Sequence, residues 1–197
     1  MSAELKAEFK ANLKTEIQKG YIVLHNIIFV GGVHGVGKTR FCSRLASTLN
    51  AEHVTASSLI AKHNKHFKNK TVSNIENNQL ILADEIFKLE TMRDVILLDG
   101  HFCLLNENHN IENVPFATFT SISPKIALVL SDMPTLIAER LSSRDGWSFS
   151  VEFINDFQEK EIKWADETCK SLDIPLKVVD QSCSFDLLVQ DVSAYLR

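Results

Sequence analysis

The stretch Ile27-Ile28-Phe29-Val30-Gly31-Gly32-Val33-His34-Gly35-Val36-Gly37-Lys38-Thr39 decides the fold. Its first four residues are a continuous apolar run, the pattern of a strand buried on both faces of a parallel sheet. Gly32 to Thr39 fit G-x-x-x-x-G-K-[ST], a phosphate-binding P-loop. Glycines let backbone N–H groups approach phosphate oxygens with no Cβ between. Lys38 is a compact charge for the β- and γ-phosphates, and the Thr39 hydroxyl is a ligand for Mg²⁺. Phe41, Leu45, Ala46 and Leu49 then recur at helical spacing, so a helix starting at Lys38 aims its N-terminal dipole at the loop. Strand, glycine loop and helix follow in the order the motif needs. ATP and Mg²⁺ are therefore the expected cofactors. Gly32, Gly35, Val36, Gly37, Lys38, Thr39 and the adjoining Arg40 form the expected nucleotide-binding set.

Working outward, Glu52-His53-Val54 reads as a second strand and segments 56–64 and 74–90 as helices. Val95-Ile96-Leu97-Leu98-Asp99 and Ile126-Ala127-Leu128-Val129-Leu130 read as buried strands. Residues 101–125, with Pro115 and Pro124, read as irregular with room for a short hairpin. A helical pattern covers 134–142, breaks at Asp145-Gly146 and returns over 150–172. Leu176-Lys177-Val178-Val179 is a last strand and 184–196 a closing helix. Strands alternating with helices imply an α/β, doubly wound, mainly parallel sheet of about five strands. Its ligand crevice belongs at the carboxyl ends of the strands, where the P-loop, Asp99 and residues 131–133 fall.

The expected organisation is a helical appendage at 1–22 before one domain at 23–197. Residues 55–92 are the acceptor-side helices and 143–150 a short lid loop. Leu5, Phe9, Leu13 and Ile17 form one apolar stripe on the charged appendage. The stripe packs on the domain itself or serves as a dimer or partner contact through residues 3–19. The net charge of −4 argues against a surface that coats nucleic acid. No apolar run approaches the ~18 residues of a membrane span. The charged N-terminus does not read as a signal peptide, and the expected location is cytoplasmic. Cys42, Cys103, Cys169 and Cys183 are scattered, with no C-x-x-C pair, and read as buried or inert thiols.

Asp99 ends a strand of the Walker B kind, where an acid can hold Mg²⁺ or orient an acceptor. The next residue is Gly100, not the second acid that many P-loop hydrolases use to polarise water. A kinase has less need of that base, since its acceptor brings the nucleophile. Arg140 and Arg144 lie i, i+4, the first ending a helix and the second opening a loop. One suits the adenine or a phosphate, and the other a clamp on the transferring phosphoryl group. With Lys38 and Asp99 they are the expected catalytic residues; Thr39 and Asp99 are the expected metal ligands. His101 either touches the acceptor or fills a turn. His34 faces away from the phosphates. His63 and His66 lack a third partner for a metal. Ser58, Lys62 and Gln79, with His101, are the expected acceptor-site residues.

Taken together, the P-loop, the strand at 52–54, Asp99-Gly100-His101-Phe102 and the Arg140/Arg144 pair resemble nucleoside monophosphate kinases. The nearest likeness is to archaeal-type adenylate kinases and related small P-loop kinases. Phe157-Gln158-Glu159-Lys160-Glu161 is similar to the corresponding helix of that group. The resemblance spans roughly residues 27–196 and implies transfer of the ATP γ-phosphoryl group to AMP with Mg²⁺. It implies that Gly35, Gly37, Lys38 and Thr39 hold ATP phosphates. Arg140 and Arg144 become lid arginines, and Asp99 sits where acceptor and metal meet. The chain departs from the pattern in having no arginine between Arg44 and Arg93 to grip an AMP phosphate. Lysines at 62, 65, 68 and 70 lack the bidentate fork. The leading expectation is a kinase acting on a small acceptor, a nucleotide or nucleoside, with weak or no activity on AMP. A polynucleotide or RNA kinase or a nucleic-acid-linked repair or defence component, motivated by the basic 62–70 loop, and a non-catalytic nucleotide-binding regulator are the alternatives.

Overall fold

The computed structural model describes residues 25–61, 75–145 and 149–196. The expected N-terminal appendage with its 3–19 stripe lies outside the described residues. So do Lys62, the rest of the basic loop and the side chains of Gln79 and Arg144.

Five strands form one parallel sheet. They are β1 (Asn26–Gly31), β2 (Glu52–Thr55), β3 (Val95–Asp99), β6 (Ile126–Leu130) and β7 (Leu176–Val179), in the order β2-β3-β1-β6-β7. The helices are α1 (Lys38–Leu49), α2 (Ala56–Ala61), α3 (Ile75–Phe87), α4 (Phe116–Ile122), α5 (Pro134–Asp145), α6 (Val151–Leu172) and α7 (Phe185–Ala194). β1 is central because its residues are apolar on both faces. Ile28 and Val30 join the cluster with Cys42, Leu45, Ile137, Leu141, Leu188 and Val192. Ile27 and Phe29 point the other way, to Leu82, Ile86, Phe119, Ile122 and Ala165. That is the period-2 alternation of a strand covered by helices on both sides. Each such fully buried side chain contributes about 1.5–3 kcal/mol.

The register aligns the chemistry. Val30 pairs with Asp99 and Gly31 with Val129, so the P-loop leaves β1 between the ends of β3 and β6. α6 is capped by Ser150, whose hydroxyl accepts the Phe153 N–H at 3.1 Å. Its buried residues run from Ile154 and Phe157 in one core cluster to Ala165 and Cys169 in the other.

Two segments differ from the sequence expectation. Residues 101–125 hold the hairpin β4 (Cys103–Leu105) with β5 (Ile111–Asn113), and also α4. The α4 sequence Phe-Ala-Thr-Phe-Thr-Ser-Ile has weak helix propensity. Burial of Phe119 and Ile122 under the sheet overrides it. α5 runs on to Asp145, so Arg144 belongs to the helix rather than opening a loop. Ser142 and Ser143 are indifferent to a helix, and the first true breaker in sequence is Gly146. Among the described helices none is long and apolar enough to cross a membrane.

Candidate nucleotide-binding site

The loop between β1 and α1 takes its shape from glycine. Gly32, Gly35 and Gly37 all have positive φ (138°, 82° and 104°). A Cβ on Gly35 would lie 2.9 Å from Leu141 Cγ, so α5 packs directly on the loop. A Cβ on Gly37 would meet nothing within 4 Å; the space in front of it is open, as a phosphate cradle requires. Lys38 is buried, and its ammonium donates to the carbonyls of Gly32 (2.7 Å) and Val33 (3.1 Å). α1 begins at this residue and directs its N-terminus to the same space. These donors fit a nucleotide triphosphate.

Thr39 and Asp99 meet at the adjoining wall. The Thr39 hydroxyl donates to Asp99 Oδ2 at 3.4 Å. His53 Nε2, on β2, is 3.8 Å from the same oxygen. Burial pushes the Asp99 carboxyl above its ordinary range, against the opposing pull of Lys38, His53 and the Thr39 hydroxyl. One hydroxyl and one carboxylate beside a phosphate cradle suit a hard, oxygen-seeking cation such as Mg²⁺. Gly100 follows for a steric reason. A Cβ there would come within 2.8 Å of the Phe29 ring, so no second acid fits beside Asp99.

His101 packs inward. Its ring centroid is 4.3 Å from that of His34, and it lies against the Gly32 backbone. Burial, the Lys38 charge and His34 hold it well below the ordinary imidazole value, so it is neutral at pH 7. Glu161 lies beneath. Oε1 accepts the N–H groups of Gly32 (2.7 Å) and Phe102 (2.9 Å), and Oε2 that of Cys103 (2.5 Å). Burial raises its pKa, opposed by these bonds and by Lys38. Sequence reasoning assigned Glu161 no role of its own. The signal was there: Phe157, Glu161, Ala165 and Cys169 share one helical stripe, and only Glu161 in it is charged.

On the other flank Arg140 braces the loop from outside. Nη1 donates to the Gly35 and Val36 carbonyls (3.3 and 3.4 Å), and Nη2 reaches Asp132 Oδ2 at 2.8 Å. Asp132 is fixed in turn by Gln158, whose amide exchanges two bonds with its backbone (3.0 and 2.9 Å), and by the Gln181 amide. Asp132, Gln158 and Gln181 were not singled out from the sequence, because they arrive from three separate segments. Arg40 and Ser58 are exposed on α1 and α2, and the Ser58 hydroxyl donates to the Thr55 carbonyl at 2.8 Å. Cys42, Cys103 and Cys169 are buried; Cys183 is exposed, in the turn before α7 where there is no core to cover it.

The strand order, the glycine loop and the Asp99 wall define a P-loop domain with a kinase-like fold. Residues 31–151 match the model of an AAA domain family, AAA_17, and the chain belongs to that family. No curated protein sequence matches the chain. Solved structures that share the fold include two that align over most of the chain. A gluconokinase from Sinorhizobium meliloti 1021 aligns with a TM-score of 0.51 at 16% identity, covering 87% of this chain and 91% of its own. A tunicamycin resistance protein from Deinococcus radiodurans aligns with a TM-score of 0.55 at 15% identity, covering 87% and 95%.

Proposed function

We propose that the protein is an ATP-dependent phosphotransferase of the small P-loop kinase type. Its acceptor is a small molecule, a nucleotide or nucleoside in our reading. The observation that carries this is the meeting of Lys38, Thr39 and Asp99 at the rim of the open glycine cradle. Thr39 and Asp99 would hold magnesium, which would offset phosphate charge. Lys38 exchanges its loop carbonyls for phosphate oxygens. Arg140, with Arg144 one helical turn on, covers the nucleotide from α5. The acceptor hydroxyl or phosphate approaches from the α2–α3 side, where Ser58, Lys62, Gln79 and His101 are the candidate contacts. Gly100 leaves no base next to Asp99 for activating water, which favours transfer to an acceptor over hydrolysis. The likeness to nucleoside monophosphate kinases supports a nucleotide acceptor, and the want of an arginine between Arg44 and Arg93 makes AMP a poor one.

The test is ADP formation from ATP across nucleosides, nucleoside monophosphates, oligonucleotides and gluconate. Turnover above the ATPase background with a nucleoside or nucleotide supports the proposal. Turnover only with oligonucleotides, weakened by salt, would move it to a polynucleotide kinase. Nucleotide binding with no transfer to any acceptor would leave a regulator.

A further inference from the structure

Behind the Thr39–Asp99 pair lie two groups to which phosphoryl transfer assigns no part. Cys42 sits on α1 one turn after Thr39 and is completely buried. His53 sits on β2, two residues before Thr55, the register partner of Asp99. The Cys42 thiol, an imidazole nitrogen of His53 and a carboxylate oxygen of Asp99 all lie within 4.8 Å of one another. Among the described residues His53 Nε2 is a buried atom with no hydrogen-bond partner, and it faces Asp99 Oδ2 at 3.8 Å. A core that needed only bulk here has no use for an imidazole with an orphaned nitrogen.

We propose that Cys42, His53 and Asp99 form a binding site for a thiophilic divalent cation, zinc being the type. One sulfur, one imidazole nitrogen and one carboxylate are the ligands such ions take, and magnesium, which prefers oxygen, does not compete for the sulfur. A tetrahedral zinc site has bonds of about 2.3 Å to sulfur and about 2.0 Å to nitrogen, so its ligand atoms lie about 3.3–3.6 Å apart. The present cluster closes to that geometry by movements of about 1 Å, with a water molecule as fourth ligand. Binding breaks the Cys42 S–H bond, forms the sulfur–metal bond and releases the proton to solvent. The resulting thiolate and the Asp99 carboxylate balance the two positive charges. A cation held here takes Asp99 away from magnesium, so the two occupancies exclude each other.

Cobalt(II) is the probe, titrated into the full chain carrying Cys183→Ser to remove the exposed thiol. The expected result is a cobalt–thiolate charge-transfer band and intense tetrahedral d–d bands, saturating at one equivalent and bleached by one equivalent of zinc. Cys42→Ala and Cys42→Ser, each checked for native circular dichroism, should abolish the charge-transfer band. His53→Gln should weaken cobalt binding at least tenfold. No band in excess cobalt, a band that survives both Cys42 substitutions, or unchanged affinity in His53→Gln would overturn the proposal. None of these readouts depends on phosphoryl transfer.

Discussion

Replacing Glu161 by alanine tests the contact that ties α6 to the nucleotide loop. The carboxylate accepts three backbone N–H groups, from Gly32, Phe102 and Cys103, and is itself 1% exposed. Hydrogen bonds to a charged acceptor contribute about 1.5–3 kcal/mol each, and a buried donor left without one costs about 1–3 kcal/mol. Two effects offset the loss: the buried charge disappears, and water can enter the space. We expect Glu161→Ala to destabilise the protein by about 3–5 kcal/mol at pH 7, in the range seen when a buried charge network loses a member. With a urea m-value of about 2 kcal/mol/M, the denaturation midpoint falls by about 1.5–2.5 M. The pH dependence carries a definite sign. Burial raises the folded-state pKa of Glu161, so the stability it contributes is fully present below the unfolded carboxyl value. That stability declines as pH rises through the folded value, by at most about 1.4 kcal/mol per pH unit. The gap between wild type and variant therefore widens as pH is lowered toward 4.5. A midpoint shift under about 0.5 M at pH 7 would refute the reasoning, as would a gap that narrows in acid.

Lys38→Ala should remove phosphoryl transfer while the urea midpoint stays within about 1 M of wild type, since the lost bonds are to loop carbonyls. Arg140→Ala should weaken ATP binding several-fold in a calorimetric titration. It should change stability by no more than about 1 kcal/mol, because the side chain is half exposed. His101 carries a pH prediction of opposite sign to Glu161. Its folded pKa lies well below the unfolded one, so wild-type stability should drop as pH falls below about 6.5, and His101→Phe should flatten that slope in urea melts.

Much of this architecture was legible because the signals are local. The apolar run Ile27–Val30, the glycine spacing and Asp99 at a strand end each lie within a few residues of their meaning, and the five parallel strands follow. α4 was hidden because its Thr- and Ser-containing segment is helical only through what it packs against. Arg140 stood out in the sequence, yet its partner Asp132 did not, since the pair depends on β6 and α5 meeting at the loop. Glu161 shows the same limit more sharply. Its three donors come from residues 58 to 129 positions away, a distance at which no periodicity speaks. His53 looked like an ordinary strand residue until the register set it two positions short of the partner of Asp99.

The central position of β1 also bears on how the chain is made. It is the first strand of the described residues, but its partners are β3, about 70 residues later, and β6, about 100 residues later. At a synthesis rate of about 5–20 residues per second, Asn26–Gly31 waits for roughly 5–20 s before both neighbours exist. During that time an apolar strand with two unpaired edges is exposed on the nascent chain. The same doubly buried strand that fixes the nucleotide loop in the finished protein is the segment most in need of shielding during translation. Slower, cooler expression or added chaperone should therefore raise the soluble yield more than any change to the folded surface.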